Sequence, residues 1–102
     1  MTVTGSGPSA QAIDIGDGCF IEYAEFNGET AGINEFHRNA AGAWCIGWVA
    51  FRGSAWAKQF ETVKDYQAWD VQQRDPLTLF PSIKCRACGH HGHIKNGRWV
   101  RA

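Results

Sequence analysis

The sequence has no long apolar run and almost no positive charge in its first half. Its most apolar stretch, residues 40–51, is shorter than the ~18 residues that span a bilayer, and it contains two glycines. The first twelve residues are small and polar, without the apolar segment of a secretory signal. We therefore expect a cytoplasmic protein without a membrane segment, whose cysteines stay reduced.

The features of a disordered chain are also missing. There are three prolines, no internal repeat and no low-complexity segment after residue 12, whereas thirteen residues are aromatic and 44% are apolar. A length of 102 residues suits one domain, small enough to gain from a metal that supplements its core. We expect residues 1–12 to be a flexible arm and residues 13–102 a single zinc-stabilised domain.

Charge is unevenly distributed although the net charge is zero. Residues 1–50 contain six acidic residues and one basic residue, while residues 51–102 contain four acidic and nine basic residues. From Lys84 onward there are five basic residues and no acidic one. Two interpretations fit: the halves attract each other within one domain, or the basic half contacts nucleic acid.

Apolar and polar residues alternate in several short segments, which predicts β-strands. Residues 19–26 alternate in this way. Residues 43–52 are rich in Trp, Val, Ile and Phe and predict a central strand. Residues 77–83 predict another strand, interrupted at Pro81, which places it at a sheet edge or a bend.

Turn and cap signals complete this pattern. Asn96-Gly97 between apolar residues predicts a β-hairpin with a two-residue type I′ turn. Ser54 fits the N-cap of a short helix over about 55–66. The sequence thus predicts a mainly β fold: a small single-domain antiparallel sheet with a C-terminal zinc knuckle and β-hairpin, and one short helix.

The C-terminal part contains a metal-binding motif. Cys85 and Cys88 are separated by two residues, which lets both thiolates face one ion, and Gly89 allows the tight turn that follows. A redox pair with this spacing usually begins a helix, and Gly-His-His-Gly-His is a poor helix start. We therefore expect one structural Zn²⁺, which prefers four nitrogen or sulfur ligands in a tetrahedron.

The two remaining ligands are less strongly indicated. His91 lies three residues after Cys88, a spacing that suits a knuckle, and His93 is the alternative. For the fourth ligand, Cys45 is the first candidate, and His37 and the nearby histidine His93 are the alternatives. We expect Cys19 to be a core thiol.

Part of the chain resembles a known family. The residues that carry the likeness are Pro76-Leu-Thr-Leu-Phe-Pro-Ser-Ile83, Cys88-x-x-His91-x-x-Ile94 and Asn96-Gly97-Arg98. They resemble the C-terminal signature of a family of small uncharacterised proteins of bacteria and of tailed phages of actinobacteria. The resemblance covers about a third of the chain. It implies metal binding through the Cys–His pair and a phage or bacterial cytoplasmic origin. It favours His91 over His93, which stands where that signature has an aromatic residue.

Three functions are compatible with these features. The first is a non-catalytic, zinc-stabilised binding protein that acts through protein partners. The second is a nucleic-acid-binding zinc module, whose contact residues would be Lys84, Arg86, Lys95, Arg98, Trp99 and Arg101. The third, a metal-dependent hydrolase or nuclease, is least favoured, because the sequence contains neither H-E-x-x-H nor the paired motif of a zinc deaminase.

Overall fold

A five-stranded antiparallel sheet forms one layer of the fold. The computed structural model describes the backbone of residues 2–5 and the full structure of residues 7–102. The strands of this sheet are β1 (Thr2–Gly5), β2 (Ile13–Gly16), β3 (Cys19–Phe26), β4 (Glu29–Arg38) and β5 (Trp44–Ala50). Strands β2 to β5 form a meander, and β1 pairs with the other edge of β5. The central strand is therefore β4.

Two smaller antiparallel sheets form the second layer. The first is the hairpin of β6 (Asp70–Arg74) and β7 (Leu77–Phe80). The second contains β8 (Ile83–Lys84), β9 (His91–Lys95) and β10 (Arg98–Arg101), with β9 in the middle. The two are joined where the Gly97 N–H donates to the Leu77 carbonyl over 2.8 Å. Pro81 separates β7 from β8, as its position in the sequence predicts.

The hairpin turns follow from two-residue Asx-Gly sequences. At Asn96-Gly97 both residues have positive φ, 51° and 74°, as a type I′ turn requires, and Lys95 pairs with Arg98 on either side. This confirms the predicted hairpin. Asp17-Gly18, with φ of 54° and 76°, makes a similar turn between β2 and β3 that we did not predict from the sequence.

The hydrophobic core lies between the two layers. Ile33 on β4 and Val49 on β5 face the second layer and are 0% and 1% exposed. Along β4, Glu35 and His37 follow Ile33 at two-residue intervals and therefore lie on the same face. The core ends at these polar side chains. Its members are Ile15, Cys19, Ile21, Ile33, Val49, Phe51, Leu77, Leu79, Ile83, Ile94 and Trp99.

The only helix in the described part of the chain is short. Helix α1 (Ala55–Lys58) begins as predicted, with Ser54 as N-cap accepting a hydrogen bond from the Ala57 N–H over 3.1 Å. It ends well before residue 66. The following backbone hydrogen bonds join residues three apart, and Asp65 has a φ of 62°, so residues 59–66 form successive turns. The predicted fold class, mainly β and antiparallel with one short helix, is confirmed.

The segment predicted as a flexible arm contains a strand. Thr2–Gly5 pairs with β5 from Gly47 to Trp44, while Met1 and Ser6 lie outside the described residues. The prediction of flexibility and of the domain boundary stays a prediction. Within the described residues, no helix has the length and apolar character needed to cross a membrane.

Candidate metal site

Four metal-ligating side chains meet at one end of the core. They are His37, Cys45, Cys85 and Cys88, and their ligand atoms all lie within 4.8 Å of one another. In a tetrahedral zinc site with bonds of about 2.3 Å, two sulfurs are about 3.8 Å apart. The group therefore has the composition and the spacing of a site that could bind one metal ion.

Two of the four donors come from neighbouring strands of the large sheet. His37 near the end of β4 pairs directly with Cys45 near the start of β5. Side chains of directly opposed residues point to the same face of a sheet, about 5 Å apart at Cβ. Both residues are buried, His37 to 2% exposure and Cys45 to 0%. The register of one β-hairpin thus brings an imidazole and a thiol together.

The other two donors come from the loop after β8. The Gly89 N–H donates to the Cys85 carbonyl over 2.9 Å, and the Cys85 N–H donates to the His90 carbonyl over 2.7 Å. Gly89 has a φ of 79°, which favours glycine. Burial raises the pKa of Cys85, but hydrogen bonds from the backbone of Cys88 and Ala87 to its sulfur outweigh this and lower the pKa to about 7. The loop therefore favours a thiolate, which is the metal-binding form.

Glu35 orients the imidazole of His37. Both carboxylate oxygens lie close to Nδ1 of His37, at 3.0 and 2.9 Å. A carboxylate only accepts, so Nδ1 carries the proton and Nε2 is the nitrogen left for a metal. Nε2 lies 3.2 Å from the Cys88 sulfur, within the cluster. Burial lowers the pKa of His37, whereas the hydrogen bond and charge of Glu35 raise it to about 9, so a metal ion would bind Nε2 by displacing its proton.

A second group of side chains lies beside the first. The ligand atoms of Cys19, Glu35 and His90 lie within 4.8 Å of one another, and His90 Nε2 is 3.1 Å from the Cys19 sulfur. The His90 ring stacks between those of His37 and Trp99, with centroid distances of 4.1 and 4.6 Å. Burial raises the pKa of the Cys19 thiol and lowers that of His90. Two members of this second group, Glu35 and His90, therefore contact His37 directly.

The structure does not bring His91 or His93 to the cluster. His91 is the first residue of β9 and pairs with Lys84, and its Nε2 lies 2.8 Å from the Ser82 hydroxyl. His93, opposite Val100, is in neither group of metal-ligating residues. His91 was predicted as a ligand, but the turn that contains Cys85 and Cys88 ends at His90. His91 therefore already belongs to β9 and follows the direction of that strand. His37, predicted as an alternative to Cys45, is present together with it.

The residues predicted to contact nucleic acid are divided between two regions. Lys95, Arg98 and Arg101 are exposed on the C-terminal hairpin, where Arg101 is 3.3 Å from Asp17. Trp99 is only 6% exposed, packs in the core and stacks on His90. It is therefore not free to stack on a base. Lys84 and Arg86 line a separate cleft.

Glu35 and His90 were not predicted as neighbours of the candidate metal ligands. The signal for Glu35 was its position two residues before His37, which places both on one face if the segment is a strand. His90 had no comparable signal, because its stacking depends on the three-dimensional approach of His37 and Trp99. Comparison with protein-family models, with curated proteins and with solved structures yields no match, so the function is argued from these residues.

Proposed function

We propose that this protein is a non-catalytic binding protein stabilised by one structural zinc ion, held by His37, Cys45, Cys85 and Cys88. The observation that carries the proposal is the convergence of these four donors from three separate segments of the chain. No local motif accounts for it, because His37 and Cys88 are 51 residues apart in sequence. Hydrophobic packing alone does not explain why three thiols and an imidazole lie at one point.

The set of donors favours zinc over other ions. Three thiolates and one imidazole form one of the common ligand sets of structural zinc sites, whereas magnesium and calcium prefer oxygen ligands. The Glu35–His37 hydrogen bond supports the same assignment. A carboxylate on the second ring nitrogen is the usual partner of a zinc-bound histidine, because it fixes the tautomer and increases the basicity of the ligand.

Four protein donors complete the tetrahedron of zinc, which supports a structural role. A catalytic zinc keeps one position open for water or substrate. Here His37, Cys45 and Cys85 are buried, and only Cys88 is exposed. The ion would join the ends of β4 and β5 to the loop between β8 and β9, so it would connect the two layers of the fold. The hydrolase or nuclease alternative is not supported by this arrangement.

The proposal includes a phage origin for this protein and a function through protein partners. The resemblance of residues 76–98 to proteins of bacteria and actinobacterial phages supports a phage-encoded protein that acts in the host cytoplasm through protein partners. Of its Cys–His pair, Cys88 fits the cluster and His91 does not. Nucleic-acid binding by the C-terminal hairpin is less well supported, because Trp99 is buried.

Removal of the metal tests the proposal. A strong zinc chelator should lower the melting temperature (Tm) by roughly 10 °C or more, because metal-binding free energy is folding free energy and each kcal/mol shifts Tm by about 4–8 °C in a domain of this size. Adding zinc back should restore the original value, whereas magnesium should not. A Tm that is unchanged when the chelator is in excess would overturn the proposal.

A further inference from the structure

We propose that a cleft beside the loop between β8 and β9 binds nucleotides, either within single strands of nucleic acid or as free molecules. The cleft has a volume of about 830 Å³, within the range of small-molecule sites. It borders the part of β5 around Trp48, the turns after α1, and the segment that leads into Cys85. Of the C-terminal hairpin, only His91 at the start of β9 lines the cleft, and Trp99 does not.

Aromatic side chains form much of the lining of the cleft. Trp48, Trp56, Tyr66 and Trp69 all contribute to it, and each is partly exposed. Trp48 and Trp56 pack edge to face, with ring centroids 5.1 Å apart, and the Trp69 indole donates to the Ser82 carbonyl over 3.1 Å. These contacts hold the rings in place. Fixed aromatic rings are the usual platform on which single-stranded bases stack.

The charge at the rim of the cleft is predominantly positive. Arg52, Lys84 and Arg86 line it together with His91, against one carboxylate, that of Asp65. Arg52 is paired with Asp70 at 2.7 Å. Lys84 and Arg86, both exposed, have no ion-pair partner among the residues that the structure describes. Two cations near the aromatic lining therefore remain for the phosphate groups of a ligand.

Two buried donors belong to side chains of the same lining. The indole N–H of Trp48 and the hydroxyl of Tyr66 have no hydrogen-bond partner among the described residues, and both atoms are shielded from solvent. A hydrogen bond from either donor to a ligand would need a rearrangement of its side chain. Fixed aromatic rings for base stacking and exposed cations for phosphate groups favour a nucleotide over an acidic peptide.

This inference rests on the proposed function in one respect. Arg86 lies between the metal ligands Cys85 and Cys88, so zinc would hold one wall of the cleft in place. The experiment therefore uses the zinc-loaded full chain and measures its zinc content alongside binding. Zinc without nucleotide binding would overturn this inference and leave the proposed function standing. A folded protein that binds nucleotides but contains no zinc would overturn the proposed function and support this inference.

The test is fluorescence anisotropy with labelled dT and U 12-mers, and with a labelled 12-bp duplex, at two salt concentrations. A mononucleotide and polyglutamate serve as competitors. We expect the single strands to bind and the affinity to fall with salt, with a slope reduced by about 1–2 in the K84E/R86E variant, because each phosphate contact contributes about 0.7. W56A should weaken binding about fivefold or more. The matched control K95E/R98E, with the same charge change on the hairpin, should bind like the wild type.

Each alternative outcome is distinct. Loss of binding confined to K95E/R98E would place the contact on the hairpin and overturn the proposal. Equal loss in K95E/R98E and K84E/R86E would show a contact that depends only on overall charge and would overturn it too, as would tighter binding of the duplex or displacement by polyglutamate alone. Displacement by the mononucleotide would identify free nucleotides as sufficient. Should a variant lose zinc, photo-crosslinking of a 4-thiouridine strand to the wild type decides the matter: crosslinks at Trp48, Trp56 or Trp69 support the cleft, and crosslinks confined to residues 95–101 contradict it.

Discussion

His37 and Cys45 are cross-strand neighbours, paired directly across β4 and β5, and both belong to the candidate metal site. In the sequence they stand as alternatives for one ligand position. The strand register makes them a pair instead. With Cys85 and Cys88 they complete a set of four, which leaves no position for the histidines that follow the knuckle.

His37 and His91 therefore allow a comparison of a proposed ligand with a histidine outside the candidate site. His37→Ala should lose most of its metal and lower Tm by roughly 10 °C or more, because a buried ligand is removed. His91→Ala loses a hydrogen bond to Ser82 and should keep its metal. Metal content by mass spectrometry and thermal melting would check both. The reverse pattern, with metal lost only in His91→Ala, would show that the knuckle histidine is the ligand.

Cys88 and Cys19 allow the same comparison between thiols. Cys88→Ser should release the metal, although the side chain is exposed and contributes little to packing. Cys19→Ala should keep one metal ion and lose only the packing of a small buried side chain and its contact with His90 Nε2, about 1 kcal/mol in all. Metal stoichiometry separates the two effects. A wild-type protein with two bound ions, of which Cys19→Ala loses one, would show that Cys19, Glu35 and His90 form a second site.

Glu35→Gln tests the orientation of the imidazole. The amide has the same shape and can still accept from Nδ1, but it lacks the negative charge that strengthens the ligand. We expect metal affinity to fall about 10–100-fold with the fold retained. Glu25→Gln on β3, at an exposed position, is the matched control and should leave affinity unchanged. Competition with a fluorescent zinc chelator measures the zinc affinity of both variants. Equal affinities would show that the charge of Glu35 does not strengthen metal binding.

Gly32→Ala tests the close pairing of β4 with β5 that sets the ligand register. A Cβ at Gly32 would clash with the Val49 carbonyl oxygen and lie 3.1 Å from the Ala50 Cα, whereas at Gly47 on β5 it would meet nothing within 4 Å. Gly32→Ala should cost about 1–3 kcal/mol of unfolding free energy, and Gly47→Ala less than about 0.5 kcal/mol. Urea denaturation measures both. Equal costs would contradict the tight approach of the strands at Gly32.

Much of the fold was predictable because it follows from local signals. Alternation predicted β3 and the apolar run predicted β5, while Asn96-Gly97 identified the C-terminal hairpin. The central strand β4 gave no such signal, because Glu35 and His37 occupy core-facing positions where a strand normally has apolar residues. In β4, side chains of the candidate site occupy positions that would otherwise belong to the hydrophobic core. The apolar alternation that identifies a half-buried strand is therefore interrupted.

The candidate site was predictable only where its residues are close in sequence. The spacing of Cys85 and Cys88 is itself the signal of a knuckle. The approach of His37 to Cys45 depends on the register of two strands, which the sequence of either strand does not encode. The three histidines after Gly89 are closer to Cys88 in sequence than His37 is, which favoured them as predicted ligands. Because β9 begins at His91, that side chain follows the strand and does not join the cluster.

The central claim is that one zinc ion is bound by three sulfurs and one nitrogen. X-ray absorption at the zinc edge, on protein purified without added metal, tests it most directly. The account predicts three sulfur neighbours at about 2.3 Å and one nitrogen at about 2.0–2.1 Å. A shell with two sulfurs and two imidazole nitrogens, a bound water in place of a protein ligand, or a protein that contains no zinc would contradict it.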